Sequence, residues 1–219
     1  MIQDEKRAYR EKGIAYRESI SEAERAKRHA LIDAQLFASP LWAGARRIFL
    51  YFGVKSEVRT GNILKTAWSL GKETFLPRVE GKEMLFYKTD AMGQLKTSRM
   101  GIPEPSFSEH EEKRRKAFPH PIRSDLILLP GTAFDAYGHR IGYGAGYYDK
   151  FFEVCELAAR IHGHHTTVTH GIAAHMGTGF TSVGVCFAGQ MFECLPHEET
   201  DIPVSFLLNE KGLVPARME

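Results

Sequence analysis

Between residues 140 and 149 the chain reads RIGYGAGYYD, and residues of these types at this spacing are suited to holding an anion. Gly142, Gly144 and Gly146 alternate with other residues, so the backbone is free to take positive φ and to approach a ligand closely. Tyr147 onward resumes a helix-compatible pattern, and a glycine loop that opens a helix presents N–H groups with no partner inside the helix. The pattern G-x-G-x-G matches neither the lysine-containing phosphate loop nor the dinucleotide fingerprint. On the glycines alone, a tight structural turn and a phosphate cradle stand level. Two neighbours favour the cradle: Arg140 can grip phosphate oxygens with its guanidinium fork, and Asp149 is a hard oxygen donor placed to share a magnesium ion with a polyphosphate.

The elements that must position this loop are legible around it. Leu126, Ile127, Leu128 and Leu129 form an apolar run ending at Pro130-Gly131, as expected of a parallel strand buried on both faces. The loop therefore leaves the sheet at its carboxyl edge, where open α/β sheets bind ligands. Arg46 to Phe52 reads as the first core strand, Glu73 to Pro77 and Met84 to Lys88 as the next two, and Ser182 to Ala188 and Pro203 to Asn209 as the last. Helices are expected over 4–18 with Asp4 as N-cap, from the Ser21–Glu24 capping box to Phe37, from Thr60 to a stop at Gly71, over 109–116 and over 148–160. Gly93 to Ser108 reads as a surface loop. This alternation implies α/β architecture over residues 1–219: a single domain, a three-layer α/β/α sandwich on a mostly parallel open sheet.

Composition sets the remaining bounds. With 219 residues, 43% hydrophobic and 26% charged, the chain has the make-up of an ordinary globular domain. The 29 basic residues are nearly balanced by 27 acidic ones, which argues against nucleic acid as a partner. The charged start MIQDEKRAYREK is unlike a secretory signal, and no apolar run approaches a membrane span. Cys155, Cys186 and Cys194 have neither even number nor C-x-x-C spacing, so reduced thiols and a cytoplasmic setting are expected. Residues 161–181 carry His162, His164, His165, His170 and His175 among glycines and threonines. Without cysteine or carboxylate partners, this segment reads as a mobile insertion rather than a metal site.

The run PGTAFDAYGHRIGYGAGYYDK resembles the signature of the 5-formyltetrahydrofolate cyclo-ligase family, and the likeness extends along the chain in order. It includes Lys6 and Arg10, the segment 57–60, Pro77-Arg78, the segment 101–105, Gln190, Leu195-Pro196 and Asp201. Lys6 and Arg10 stand on one helix face; on spacing alone they form a solvated basic face, whereas the resemblance implies that they reach ATP. It further implies an ATP site of Lys6, Arg10, Arg140, Ile141, Gly142, Tyr143, Gly144, Ala145, Gly146, Tyr147 and Tyr148, with Arg140 and Asp149 catalytic. Tyr51, Phe52, Glu57 and Tyr147 are then expected to hold the folate, and Asp149 and Asp201 a Mg²⁺ ion.

The implied reaction is the ATP- and Mg²⁺-dependent cyclisation of 5-formyltetrahydrofolate to 5,10-methenyltetrahydrofolate, carried out by a monomer acting on small molecules. The alternative is a folate- or nucleotide-binding protein without turnover on the same scaffold. Two positions depart from the family's usual pattern. Tyr143 stands where many members have Arg, and Ala145 where Lys or Gly is common, so weaker nucleotide affinity is one expectation and a Tyr143 contact to folate or phosphate another.

Overall fold

The computed structural model describes residues 2–116, 125–161 and 180–217. In chain order its elements are α1 (Ile2–Ser19), α2 (Glu22–Phe37), α3 (Pro40–Gly44), β1 (Arg47–Phe49), α4 (Gly61–Ser69), β2 (Glu73–Glu80), β3 (Glu83–Thr89), β4 (Leu95–Thr97), β5 (Pro103–Pro105), α5 (Glu109–Arg115), β6 (Asp125–Pro130), β7 (Ala133–Asp135), β8 (Arg140–Ile141), α6 (Tyr147–Ile161), β9 (Thr181–Val185), β10 (Met191–Phe192), β11 (Phe206–Asn209) and β12 (Gly212–Pro215). Seven strands form the main sheet in the order β12-β11-β9-β6-β1-β2-β3. The five inner strands run parallel, and β12 and β3 close the edges antiparallel.

The apolar run of β6 shows why the domain has three layers. Leu126 and Leu128 point into one core with Ile32, Leu36, Ile63 and Leu64 from α2 and α4. Ile127 and Leu129 point into the other, with Phe151 and Phe152 from α6. All four strand residues are at most 1% exposed, and burying each such side chain contributes about 1.5–3 kcal/mol. Strand alternation thus divides one continuous apolar run between two helix layers.

Chain order reverses at one place in the sheet. From β1 the chain passes through α4 to β2 on one side, then returns through β6 to β9 and β11 on the other. The carboxyl ends of β1 and β6 therefore diverge side by side, leaving the crevice that open α/β sheets use for ligands.

Several local expectations need correction. Helix α1 begins at Ile2, so Asp4 lies in its first turn and does not cap it; there its charge still favours the helix dipole. Ser21 does cap α2, accepting from the Glu24 N–H at 3.3 Å. The Thr60 hydroxyl makes no capping bond. It donates to the Tyr51 carbonyl at 2.6 Å and accepts from Gly53 N–H at 3.2 Å, so it ties down the turn after β1. The first strand spans only Arg47–Phe49, although the Leu50 N–H still donates to the Phe75 carbonyl at 3.0 Å. Within the loop expected at 93–108, β4 and β5 pair antiparallel, as do β7 and β8 next to the glycine loop. Strands of two or three residues are too short to show an alternation. The histidines expected to form a mobile insertion fall in 162–179, outside the described residues.

Candidate active site

Helix α1 carries a stripe of residues spaced by three or four: Gln3, Lys6, Arg10, Gly13 and Arg17. These positions lie on one face, and Lys6, Gly13 and Arg17 are buried. Gly13 makes the close approach possible, since a Cβ there would sit 1.9 Å from the Thr132 carbonyl oxygen. The helix thereby rests on the turn that follows β6, and its cations reach distant parts of the chain. Lys6 Nζ bonds Glu198 Oε2 at 2.8 Å and also the Asp201 carboxylate. Arg10 Nε donates to the Gly142 carbonyl at 2.8 Å. Arg17 donates to the Gly131 carbonyl at 3.3 Å and to the Tyr143 hydroxyl at 2.6 Å.

The loop expected to cradle an anion takes the backbone that its glycines permit, with φ of +97° at Gly144 and +66° at Gly146. It opens α6, which runs 15 residues and holds Asp149 in its first turn. Arg140, on β8, donates to Asp149 Oδ1 at 3.1 Å and to the Pro130 carbonyl at 3.4 Å, with its guanidinium over the Tyr148 ring. The Arg140 Nε is buried and has no hydrogen-bond partner.

These groups surround a cavity of about 520 Å³, a size within the usual range for small-molecule sites. Lys6, Arg10, Tyr51, Phe52, Glu57, every residue from Arg140 to Asp149, and Asp201 line it. All the residues expected in the ATP, folate and metal sites thus line one space, whereas the landmarks Arg78 and Gln190 do not. Pro77, Val79, Met84, Ile102, Pro103 and Glu104 also line it. At the end formed by the turn after β1, Glu57 is 6% exposed, and its Oε2 accepts from the Val54 N–H at 3.0 Å. Burial raises the Glu57 pKa, opposed by that N–H and by Arg17, Tyr143 and Lys55. Burial likewise lifts the Tyr51 and Tyr148 hydroxyls well above the ordinary phenol value. Lys6 loses some basicity to burial, but its bonds to Asp201 and Glu198 outweigh this and hold it above the usual lysine value.

Two residues that the sequence left aside belong to this arrangement. Arg17 had no motif to single it out, yet it is 2% exposed and reaches the loop. Its only sequence signal was its place in the stripe that already held Lys6 and Arg10. Glu198, three residues before Asp201, shares Lys6 with that aspartate and lines the cavity.

No group of three metal-ligating side chains occurs among the described residues. The carboxylates of Asp149, Asp201 and Glu198 nonetheless line the cavity beside fixed cations. This donor set suits Mg²⁺, which is commonly held by one or two carboxylates together with substrate phosphates and water and seldom by an all-protein cage.

Fold and cavity define an open-sheet α/β protein whose ligand space lies at the carboxyl ends of the strands. A family model described as the 5-formyltetrahydrofolate cyclo-ligase family matches residues 2–210. The chain is 30% identical over 191 residues to the 5-formyltetrahydrofolate cyclo-ligase of Saccharomyces cerevisiae, covering 78% of this chain and 79% of that protein. It is 27% identical over 163 residues to the Escherichia coli cyclo-ligase, covering 73% and 75%. The solved structure of the Aquifex aeolicus 5,10-methenyltetrahydrofolate synthetase superposes with a TM-score of 0.74 at 29% identity, covering 98% of this chain and 94% of that one. The chain belongs to the 5-formyltetrahydrofolate cyclo-ligase family, a family of ligases.

Proposed function

We propose that this protein cyclises 5-formyltetrahydrofolate to 5,10-methenyltetrahydrofolate, with ATP converted to ADP and phosphate. The observation that carries this reading is the meeting, in one cavity, of three cations and a glycine loop with a buried carboxylate. The cations and loop suit a polyphosphate. The Glu57 carboxylate suits the amino and N–H donors of a pterin, which it can accept as a pair.

Expelling the formyl oxygen is the difficult step, because it is a poor leaving group. In the proposed sequence that oxygen attacks the γ-phosphorus of ATP and ADP departs. N10 then attacks the activated carbon, loses its proton, and the oxygen leaves as phosphate. Such phosphoryl transfer asks the protein for alignment and charge more than for covalent chemistry. Lys6, Arg10 and Arg140 would bind the phosphate oxygens, and the loop N–H groups would fix their direction. Glu57, with Tyr51, Phe52 and Tyr147, would orient the pterin so that N10 faces the formyl carbon. Asp149 and Asp201 would hold a Mg²⁺ ion, which when bound neutralises charge on the β- and γ-phosphates. Lys6 would then exchange its carboxylate partners for phosphate.

The test is direct. Incubation with 5-formyltetrahydrofolate and Mg·ATP is expected to raise the near-ultraviolet absorbance of the methenyl product, with phosphate released in equal amount. Binding of the folate without absorbance change or phosphate release would establish the non-catalytic alternative.

A further inference from the structure

Arg78 lies outside the cavity, yet the groups it bonds reach the cavity's edge. Successive side chains of a strand point to opposite faces. On β2, Pro77 and Val79 line the cavity, so Arg78 and Glu80 belong to the other face. The Arg78 side chain is 17% exposed, and its guanidinium reaches three elements beyond its own strand. Its Nε donates to Glu80 Oε1 at 2.9 Å, and its Nη2 also bonds that carboxylate. Nη2 donates to the Tyr87 hydroxyl of β3 at 3.0 Å, and that hydroxyl in turn donates to Glu80 Oε1 at 2.5 Å. Nη1 donates to Glu112 Oε1 on α5 at 2.7 Å and to the Pro105 carbonyl at the end of β5 at 3.3 Å. The planar fork suits this task, since a lysine would present its donors from a single point.

Immediately before Pro105, residues Ile102, Pro103 and Glu104 line the cavity. They belong to a hairpin, β4 with β5, that forms a two-stranded sheet of its own. Ladder bonds to the main sheet therefore do not set its place, and the bond from Arg78 to the Pro105 carbonyl ties it to β2. We propose that Arg78 is a positioning residue for the cavity wall: from the far face of β2 it clamps β5 and α5, so that Ile102 and Pro103 are held against the folate. The proposal rests on the reading in which folate occupies this cavity. Ile102 and Pro103, with Pro77 and Val79, offer an apolar surface that suits the flat rings of a folate, while the Glu104 carboxylate beside them would repel a triphosphate. Loosening the clamp should accordingly weaken folate binding and leave ATP binding nearly as it is.

Two variants of the full-length protein test this. Arg78→Met removes the whole clamp, and Glu112→Ala removes only its α5 end, at a helix residue whose side chain is 33% exposed. In Arg78→Met, hydrogen–deuterium exchange over residues 95–106 is expected to quicken about tenfold while the β6 amides keep their parent rates. The folate KM is expected to rise about tenfold, as for a wall in place in roughly one molecule of ten, with the ATP KM changed by less than about threefold. Glu112→Ala is expected to move the hairpin exchange and the folate KM in the same direction by about threefold, the scale of a partly exposed ion pair. Hairpin exchange at the parent rate, an unchanged folate KM, or equal rises in the two KM values overturns the proposal, as does a turnover that merely follows the folded fraction. If Arg78→Met does not fold, Glu112→Ala decides by the same criteria. A parent protein with neither turnover nor folate binding would instead refute the underlying function, whatever the exchange rates, and the proposal would fall with it.

Discussion

Arg10 Nε and the Gly142 carbonyl lie 2.8 Å apart although 132 residues separate them in the chain. The bond joins the first helix to the loop that opens α6, so the cationic stripe and the glycine cradle behave as one surface.

Arg10→Ala is expected to free the loop and to raise the ATP KM about tenfold or more, because a charge-assisted contact is lost together with the tether. Steady-state kinetics with ATP varied is the measurement. Arg10 is partly exposed, so unfolding in urea should change by no more than about 1 kcal/mol.

Arg140→Ala and Asp149→Ala are each expected to lower turnover about a hundredfold or more, the scale of removing a fixed charge from a transition state. Thermal unfolding of both variants should stay within a few degrees of the parent. Turnover at the parent rate in either variant would remove that residue from the chemistry.

Gly13→Ala sets two effects against each other. Alanine is the better helix former by about 1 kcal/mol, but its Cβ would meet the Thr132 carbonyl oxygen at 1.9 Å. Backbone cannot yield as a flexible side chain does, so a net loss of about 1–3 kcal/mol is expected in urea unfolding, with α1 lifted from the loop and turnover reduced.

Lys6 has a folded pKa above its ordinary value of 10.5. A base raised in this way contributes stability that is complete below the unfolded value and is lost as pH rises through the folded one. Lys6→Met should therefore be destabilising by a constant amount through neutral pH, and the gap to the parent should close above about pH 10.5. Urea titrations at neutral and strongly alkaline pH would show whether it does.

Tyr143→Arg restores the loop cation seen in many family members, yet it is expected not to lower the ATP KM. The Arg17 guanidinium already sits 2.6 Å from the phenol oxygen, and a second guanidinium beside it would be repelled. A clear fall in ATP KM would show instead that the loop lacks charge in its present form.

Much of the architecture was legible because it depends on local patterns. The apolar run of β6, the Ser21 cap and the glycines at 144 and 146 act within a few residues, and each took its expected form. The spacing of Lys6 and Arg10 put them on one face before any fold was known.

Helical spacing states which residues share a face and is silent on what covers that face. Only the packed chain showed that the stripe continues through Gly13 to Arg17, because burial of Arg17 depends on acceptors 114 and 126 residues away. Likewise Glu198 acquired a role only when Lys6 reached it across 192 residues. Chain-local chemistry specified the loop, the strands and the candidate charges. The pairing of those charges was decided by tertiary structure, since a hydrogen bond needs its two atoms within about 3 Å and sequence carries no record of distances between remote segments.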